Sequence, residues 1–190
     1  LVFGAVLFIA IFAPFVSPTN PYDLATVDIM NSRLAPGSED FAGNVYVLGT
    51  DGAGRDMLSS IFYGLRVSLG VGAFSGLIAL IVGAILGLSA AYFGGRYETF
   101  VMRVVDIQLS FPSILMALVI LAIFGKGVEK TIIALILVQW AYYARAARAS
   151  ALVEKNKEYV EAAKCLALGD RRIILNLSLI HISEPTRPVP

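Results

Sequence analysis

An all-α, polytopic membrane helix bundle with about four transmembrane helices is predicted by three observations. The 190-residue chain is 57% hydrophobic and only 15% charged, with a mean hydropathy of +0.76. A typical soluble domain has roughly 25% charged and 45–50% apolar residues. The apolar excess is gathered into long uncharged runs of about the length that a bilayer requires. When the runs are counted as crossings, the basic cluster in and beside 145–172 falls on the same side as Arg96.

The same composition excludes several classes of function. A net charge of +1 with no dominant basic stripe leaves no footprint for nucleic acid. Cys165 is the only cysteine and His181 the only histidine, so neither an internal disulfide nor a histidine-based metal cluster is available, and no cofactor is expected.

Residues 1–16 are apolar and uncharged up to a pair of prolines, Pro14 and Pro18. They read as a first transmembrane helix, slightly short of the ~20 residues of a full span, whose start has been cut away. A signal peptide is the competing interpretation, but it lacks a basic n-region and a clear small-residue cleavage site. Residues 17–42 are rich in Pro, Asn, Asp and Ser. They predict an extracytoplasmic loop with turns at Asn20-Pro21 and Pro36-Gly37. Next comes LGTDGAGRDMLSSIFYGLRVSL at 48–69, a glycine-rich turn followed by a capped amphipathic helix with Met57, Ile61, Leu65 and Ser68 on one side. A phosphate-binding loop is a poor fit there, because no Gly-Lys-Ser/Thr follows.

Residues 67–93 carry no charge and are long enough to cross with tilt. Gly72, Gly76, Gly83 and Gly87 fall near one face of that helix, as two GxxxG pairs. Such a face lets a neighbouring helix approach closely, which stabilises packing where the hydrophobic effect between helices is weak. Residues 94–103 predict a turn bearing Arg96 and Arg103, and 107–124 a third span. Asp106, just before that span, is placed to pair with Arg103 at i, i+3. Pro112, after Phe111, removes a backbone hydrogen bond and should kink the span, either for packing or facing a pore. Residues 125–130 predict an outer turn. Residues 131–144 predict a short fourth span whose Trp140, Tyr142 and Tyr143 suit a membrane interface, with Arg145 and Arg148 snorkelling beyond it.

The densest cluster of charge lies in the long polar segment 152–176, LVEKNKEYVEAAKCLALGDRRIILN. Tyr159, Ala162, Ala163 and Leu166 sit at i, i+3, i+4 and i+7, as on one face of a helix. Gly169 stops that helix, and Asp170 is placed to cap a second one. Together with Arg145 and Arg148, the lysines and arginines here make this side cytoplasmic. Counting back puts Arg96 inside and the 17–65 loop outside.

Glu161-Ala162-Ala163 within EYVEAAKCL, followed by a turn and Asp170-Arg171-Arg172-Ile173-Ile174, resembles the EAA loop of binding-protein-dependent ABC importer permeases. Gly49-Thr50-Asp51, Gly54-Arg55-Asp56, Leu58-Ser59, Tyr63-Gly64 and Arg66-Val67-Ser68-Leu69 are similar to the stretch before the second span in the dipeptide, oligopeptide and nickel branch of that family. Ser110-Phe111-Pro112-Ser113 is a further family-like feature. In one departure, Ala167 stands where the family has a glycine, and the nearest glycine is Gly169.

The resemblance implies the type I importer permease fold in a bacterial or archaeal inner membrane. It also implies two ATPase subunits, a second permease subunit, an extracytoplasmic substrate-binding protein, and no chemistry in this chain. Tyr159, Glu161, Ala162, Ala163, Ala167, Gly169 and Asp170 would form the ATPase-docking element, with Glu161 paired to a basic residue of the ATPase. The implied organisation is a first helix and outer region over 1–66, and a transmembrane domain with its coupling loop over 67–176. Residues 177–190 form a proline-rich tail that resembles a translated sequencing adapter; with such a tail the chain would be a truncated, non-functional fragment.

Two classes compete with the importer. An ion-coupled secondary transporter should carry ionisable groups deep in its spans, and these span centres are uncharged. A membrane enzyme needs a catalytic set that one histidine and one cysteine do not provide.

Overall fold

Among the described residues the architecture is helical, apart from the polar segment between the first two helices. The computed structural model describes residues 2–23, 27–40 and 43–155. Helix α1 spans Val2–Val16, a short antiparallel pair is made by β1 (Ser38–Glu39) and β2 (Val45–Tyr46), and helix α2 spans Met57–Phe93. Three further helices follow: α3 (Gly95–Ser110), α4 (Ser113–Phe124) and α5 (Val128–Lys155). The chain divides into two units, Leu1–Gly72 and Ala73–Pro190, with the division falling inside α2.

In the first unit α1 is apolar along its whole length, but its 15 residues are short for a span. The turns expected around Pro21 and at Pro36-Gly37 are present. The β1–β2 pair, with Ser38 opposite Tyr46 and Glu39 opposite Val45, is not foreshadowed by any alternating pattern, because two-residue strands are too short to show one.

The loop before α2 is a hydrogen-bonded knot. Asp51 Oδ1 accepts from the backbone N–H groups of Ala53 and Arg55 at 2.8 and 3.0 Å. Its Oδ2 accepts from the Arg55 guanidinium. Desolvation acts to raise the Asp51 pKa, but the Arg55 and Ala53 donors and the Arg55 charge outweigh it and hold the carboxyl below its usual value. Thr50 is buried; its hydroxyl donates to the Asn31 carbonyl and accepts from the Leu34 N–H. Gly49 and Gly54 have φ of 76° and 80°. A Cβ on either would run into backbone, at the carbonyls of Leu34 and Asp28 respectively, so only glycine fits.

Asp56 ends this knot and starts α2: its Oδ2 accepts from the Ser59 N–H at 2.9 Å and from the Ser59 hydroxyl, the side-chain cap of an N-terminus. Ser59 Oγ in turn accepts from the Thr19 N–H, tying the segment after α1 to the start of α2.

From that cap α2 runs 37 residues without a break, so the amphipathic segment and the span expected after it are a single helix. Among the described residues it is the one helix long and apolar enough to cross a membrane.

Helix α2 stops at Gly94-Gly95, both at positive φ, and the chain reverses at once into α3. Residues 95–103, expected as a turn, are therefore the first half of a helix. The expected single span over 107–124 is two helices. α3 closes at Ser110, Phe111 is extended (φ −92°, ψ 140°), and α4 starts after Pro112 at an angle of 89°. The cause is local. Proline has no N–H to continue the α3 ladder and disfavours helical backbone in the residue before it. α3 and α4 together pass as one broken span by length and composition. α5 begins at Val128, with Glu129 in its first turn, where a carboxylate complements the helix dipole. The outer turn is thus confined to Gly125–Gly127.

Candidate functional site

The second unit is built where α5 meets α2, α3 and α4. Along α2, Ser75, Ala79, Gly83, Gly87 and Ala91 recur every four residues, and all five are buried. The last three sit directly on α5. A Cβ added to Gly83 would lie 2.5 Å from the Trp140 carbonyl oxygen and 2.6 Å from Tyr143 Cβ. One added to Gly87 would strike the Ala144 carbonyl and Ala147. Further along, Leu88 and Ala91 pack on Ala147, Ala151 and Leu152. Backbone-to-backbone approach of this kind is the purpose of small residues in membrane helices, and alanines on α5 complete it.

Of the four glycines in the expected seam, Gly83 and Gly87 lie in this contact. Gly72 and Gly76 do not: nothing lies within 4 Å of a Cβ built on either. Ser75 and Ala79, on the same face of α2, are buried completely. Small non-glycine residues at the same four-residue spacing were the available signal, and a motif restricted to glycine overlooks them.

The contacts also fix direction. As numbers rise along α2 from 83 to 91, the partners on α5 rise from 140 to 152, so the two helices run parallel. α3 runs antiparallel to α5: Val105 packs on Ala141 and Ala144 with Met102, Leu109 and Trp140 around them, and Gln108 Nε2 donates to the backbone carbonyls of Leu137 and Val138. The end of α2 before Arg96 and the end of α5 at Lys155 therefore lie on the same side, as the positive-inside reading requires.

Two ion pairs close the α3–α5 contact. The Arg148 guanidinium lies 2.5 Å from Glu98 Oε1, to which its Nε also donates at 2.7 Å; both side chains are largely covered. Arg145 pairs with Asp106 at 2.5 Å, more exposed. The expected local pair of Asp106 with Arg103 is thus replaced by one that bridges helices, because α5 brings a second guanidinium within reach. Glu98 and Gln108 were not singled out from sequence. Isolated polar residues in an amphipathic helix carry no sign of their partners until the helices are docked.

Phe111 and Pro112 stand exposed at the corner between α3 and α4. Phe111 lines a shallow cleft with Gln108, Met116, Val138 and Tyr142. The residues expected to dock an ATPase, Tyr159, Glu161, Ala162, Ala163, Ala167, Gly169 and Asp170, lie outside the described residues. The described part of their stretch, 152–155, continues α5 without a break.

The family model of the binding-protein-dependent transport system inner membrane component matches residues 79–186. The chain belongs to this family. The match takes in the Gly83–Gly87 seam, both ion pairs and the 152–176 stretch, and it continues past Asn176, where the resemblance read from the sequence stopped. Family membership makes the chain a component of a membrane helix bundle in a bacterial inner membrane, in a class of subunit that is not itself catalytic. The chain is 38% identical over 181 residues to the di/tripeptide transport system permease protein DppC of Pseudomonas aeruginosa, covering 95% of this chain and 58% of that protein. It is 44% identical over 174 residues to the dipeptide transport system permease protein DppC of Escherichia coli, covering 90% and 57%. It is 37% identical over 127 residues to the glutathione transport system permease protein GsiD of Pectobacterium atrosepticum, covering 67% and 42%. The chain thus spans somewhat over half the length of the two DppC relatives.

Proposed function

We propose that this chain is a permease subunit of an ABC importer for di- and oligopeptides. It would form the pathway with a second permease subunit, receive substrate from an extracytoplasmic binding protein, and be driven by two ATPase subunits docked on the 152–176 stretch. The observation that carries the coupling role is the continuity of α5. One unbroken helix leads from the packed seam at Trp140–Ala147 to Lys155, at the head of the proposed docking element. A displacement imposed by ATPase closure would have a stiff path into the membrane, as rigid-body rocking between two packed states requires.

Peptides are favoured over nickel as cargo because the relatives above carry peptide or glutathione transport in their names. An ion-coupled carrier is disfavoured by the charge-free run from Val67 to Phe93 within α2.

Glu161→Lys tests the reading in the permease assembled with its partner subunits. Reversing the one carboxylate beside Ala162 and Ala163 should remove a charge-assisted contact of roughly 1.5–3 kcal/mol. Co-purification of the ATPase should fall and peptide uptake should be lost, with membrane insertion intact. Unchanged co-purification and unchanged uptake together would refute the assignment.

A further inference from the structure

Helix α5 packs on α4 as well, but it is held towards α2 and towards α3 in different ways. Towards α2 it presents Ala144, Ala147 and the backbone at Trp140 to Gly83 and Gly87, a contact of small surfaces with little relief. Towards α3 it is held by directional bonds. Arg148 reaches Glu98 with two nitrogens on one carboxylate oxygen, Arg145 reaches Asp106, and Gln108 donates into the α5 backbone. Val105 fills the space between, fully buried against Ala141 and Ala144.

Relative sliding of α3 and α5 would break these charge-assisted bonds, whose geometry is narrow. Sliding of α5 along the glycine face encounters few side chains that must climb over one another.

We propose that Glu98 and Arg148 are positioning residues for transport: their ion pair clamps α3 to α5 so that the two helices move as one body, with the glycine face of α2 as the plane along which that body shifts. The inference rests on the importer reading above. The two pairs divide the work unequally. The Glu98–Arg148 side chains retain 22% and 34% of their exposure, against 57% and 53% for Asp106 and Arg145. Exposed ion pairs contribute little, whereas removing one partner of a covered pair strands the other charge. Arg148 also lies nearer the end of α5, where the driving displacement would arrive, about 10 Å from Lys155 at the helical rise. Neutralising the pair would leave the ATPases able to bind and turn over while α5 moves without carrying α3.

The test uses the permease assembled with its partner subunits in proteoliposomes, with peptide imported per ATP hydrolysed as the readout. Glu98→Gln and Arg148→Gln should retain the ATPase subunits and ATP turnover, with the import ratio lowered roughly three- to thirtyfold. Arg148→Lys, which keeps the charge but not the fork, should fall between the neutral variants and the parent. The exchanged pair Glu98→Arg with Arg148→Glu should recover most of the ratio. In a Cys165→Ser background, whose own ratio is the reference, Glu98→Cys and Arg148→Cys joined by a short bis-maleimide linker should import near that reference, since the clamp stays closed through the cycle.

Neutral variants that import at the parent ratio would overturn the clamp, as would a joined pair that blocks import. Where a neutral variant fails to assemble, the joined pair and Arg148→Lys still decide. An assembled parent that neither hydrolyses ATP nor imports peptide overturns the importer reading itself, a result distinguishable from any variant effect.

Discussion

The loop before α2 and the seam between α2 and α5 both depend on glycine, for opposite reasons. In the loop, Gly49 and Gly54 are needed for their backbone angles as well as for space. Both have positive φ and both press against another backbone segment. In the seam, Gly83 and Gly87 have ordinary helical backbone and are needed for space alone. The loop is stabilised by hydrogen bonds converging on a few side chains: Asp51, Thr50 and Asp56 satisfy at least seven donors and acceptors between them. The seam is stabilised by close contact over a length of helix. A segment outside the hydrocarbon competes with water for every hydrogen bond and needs a specific network to hold one shape. A helix inside it has already satisfied its backbone and gains from dispersion when neighbours come close.

The largest expected effect lies in the seam. Gly83→Leu or Gly87→Leu places a branched side chain where even a Cβ meets backbone, and α5 must separate from α2 at a cost at or above the ~1–3 kcal/mol typical of overpacking. Limited proteolysis of the membrane-inserted protein should show faster cleavage. Gly72→Leu and Gly76→Leu, which meet nothing, serve as controls. Equal resistance in all four would dissolve the distinction between the two halves of the glycine face.

In the loop, Gly54→Ala combines an unfavourable φ with a collision at the Asp28 carbonyl, worth ~1–3 kcal/mol of strain. Hydrogen exchange should accelerate across 28–56 and stay unchanged along α5. Spread of the effect into α5 would contradict the separation of a locally wired loop from the helix packing.

Asp56→Ala removes the α2 cap at about 0.5–2 kcal/mol. Because 37 residues of helix follow, only the first turn should fray, seen as faster exchange at Met57–Ser60. Asp56→Asn should restore most of the protection.

The smallest effect is one of acidity. Asp51 is held below its unfolded pKa, so the stability it adds is present above the unfolded value of about 4. It is lost as pH falls through the folded value. Cleavage within 43–56 should rise in that acid range and be independent of pH near 7. Asp51→Asn should flatten the profile, and an acid response in the seam of the same size would show that Asp51 is not its source.

The sequence by itself determined the membrane class, the helical content, the side on which the basic residues lie and the family, because these depend on composition, run length and short motifs. It also located the glycine-rich start of α2 and the breaking power of Pro112. It could not determine how far Pro112 turns the chain, since proline removes the bond that would continue α3 but leaves the direction of α4 to what α4 packs against. It could not choose which members of a glycine face meet a neighbour, since Gly72 and Gly83 are equivalent on a helical wheel and differ only in where α5 passes. Nor could it pair the charges. Asp106 had a local partner in Arg103 at i, i+3, and only the antiparallel docking of α3 on α5 brought Arg145 to it and Arg148 to Glu98. Local chemistry decides where helices start and stop, and the choice among possible partners is made by distances that exist only once the helices have packed.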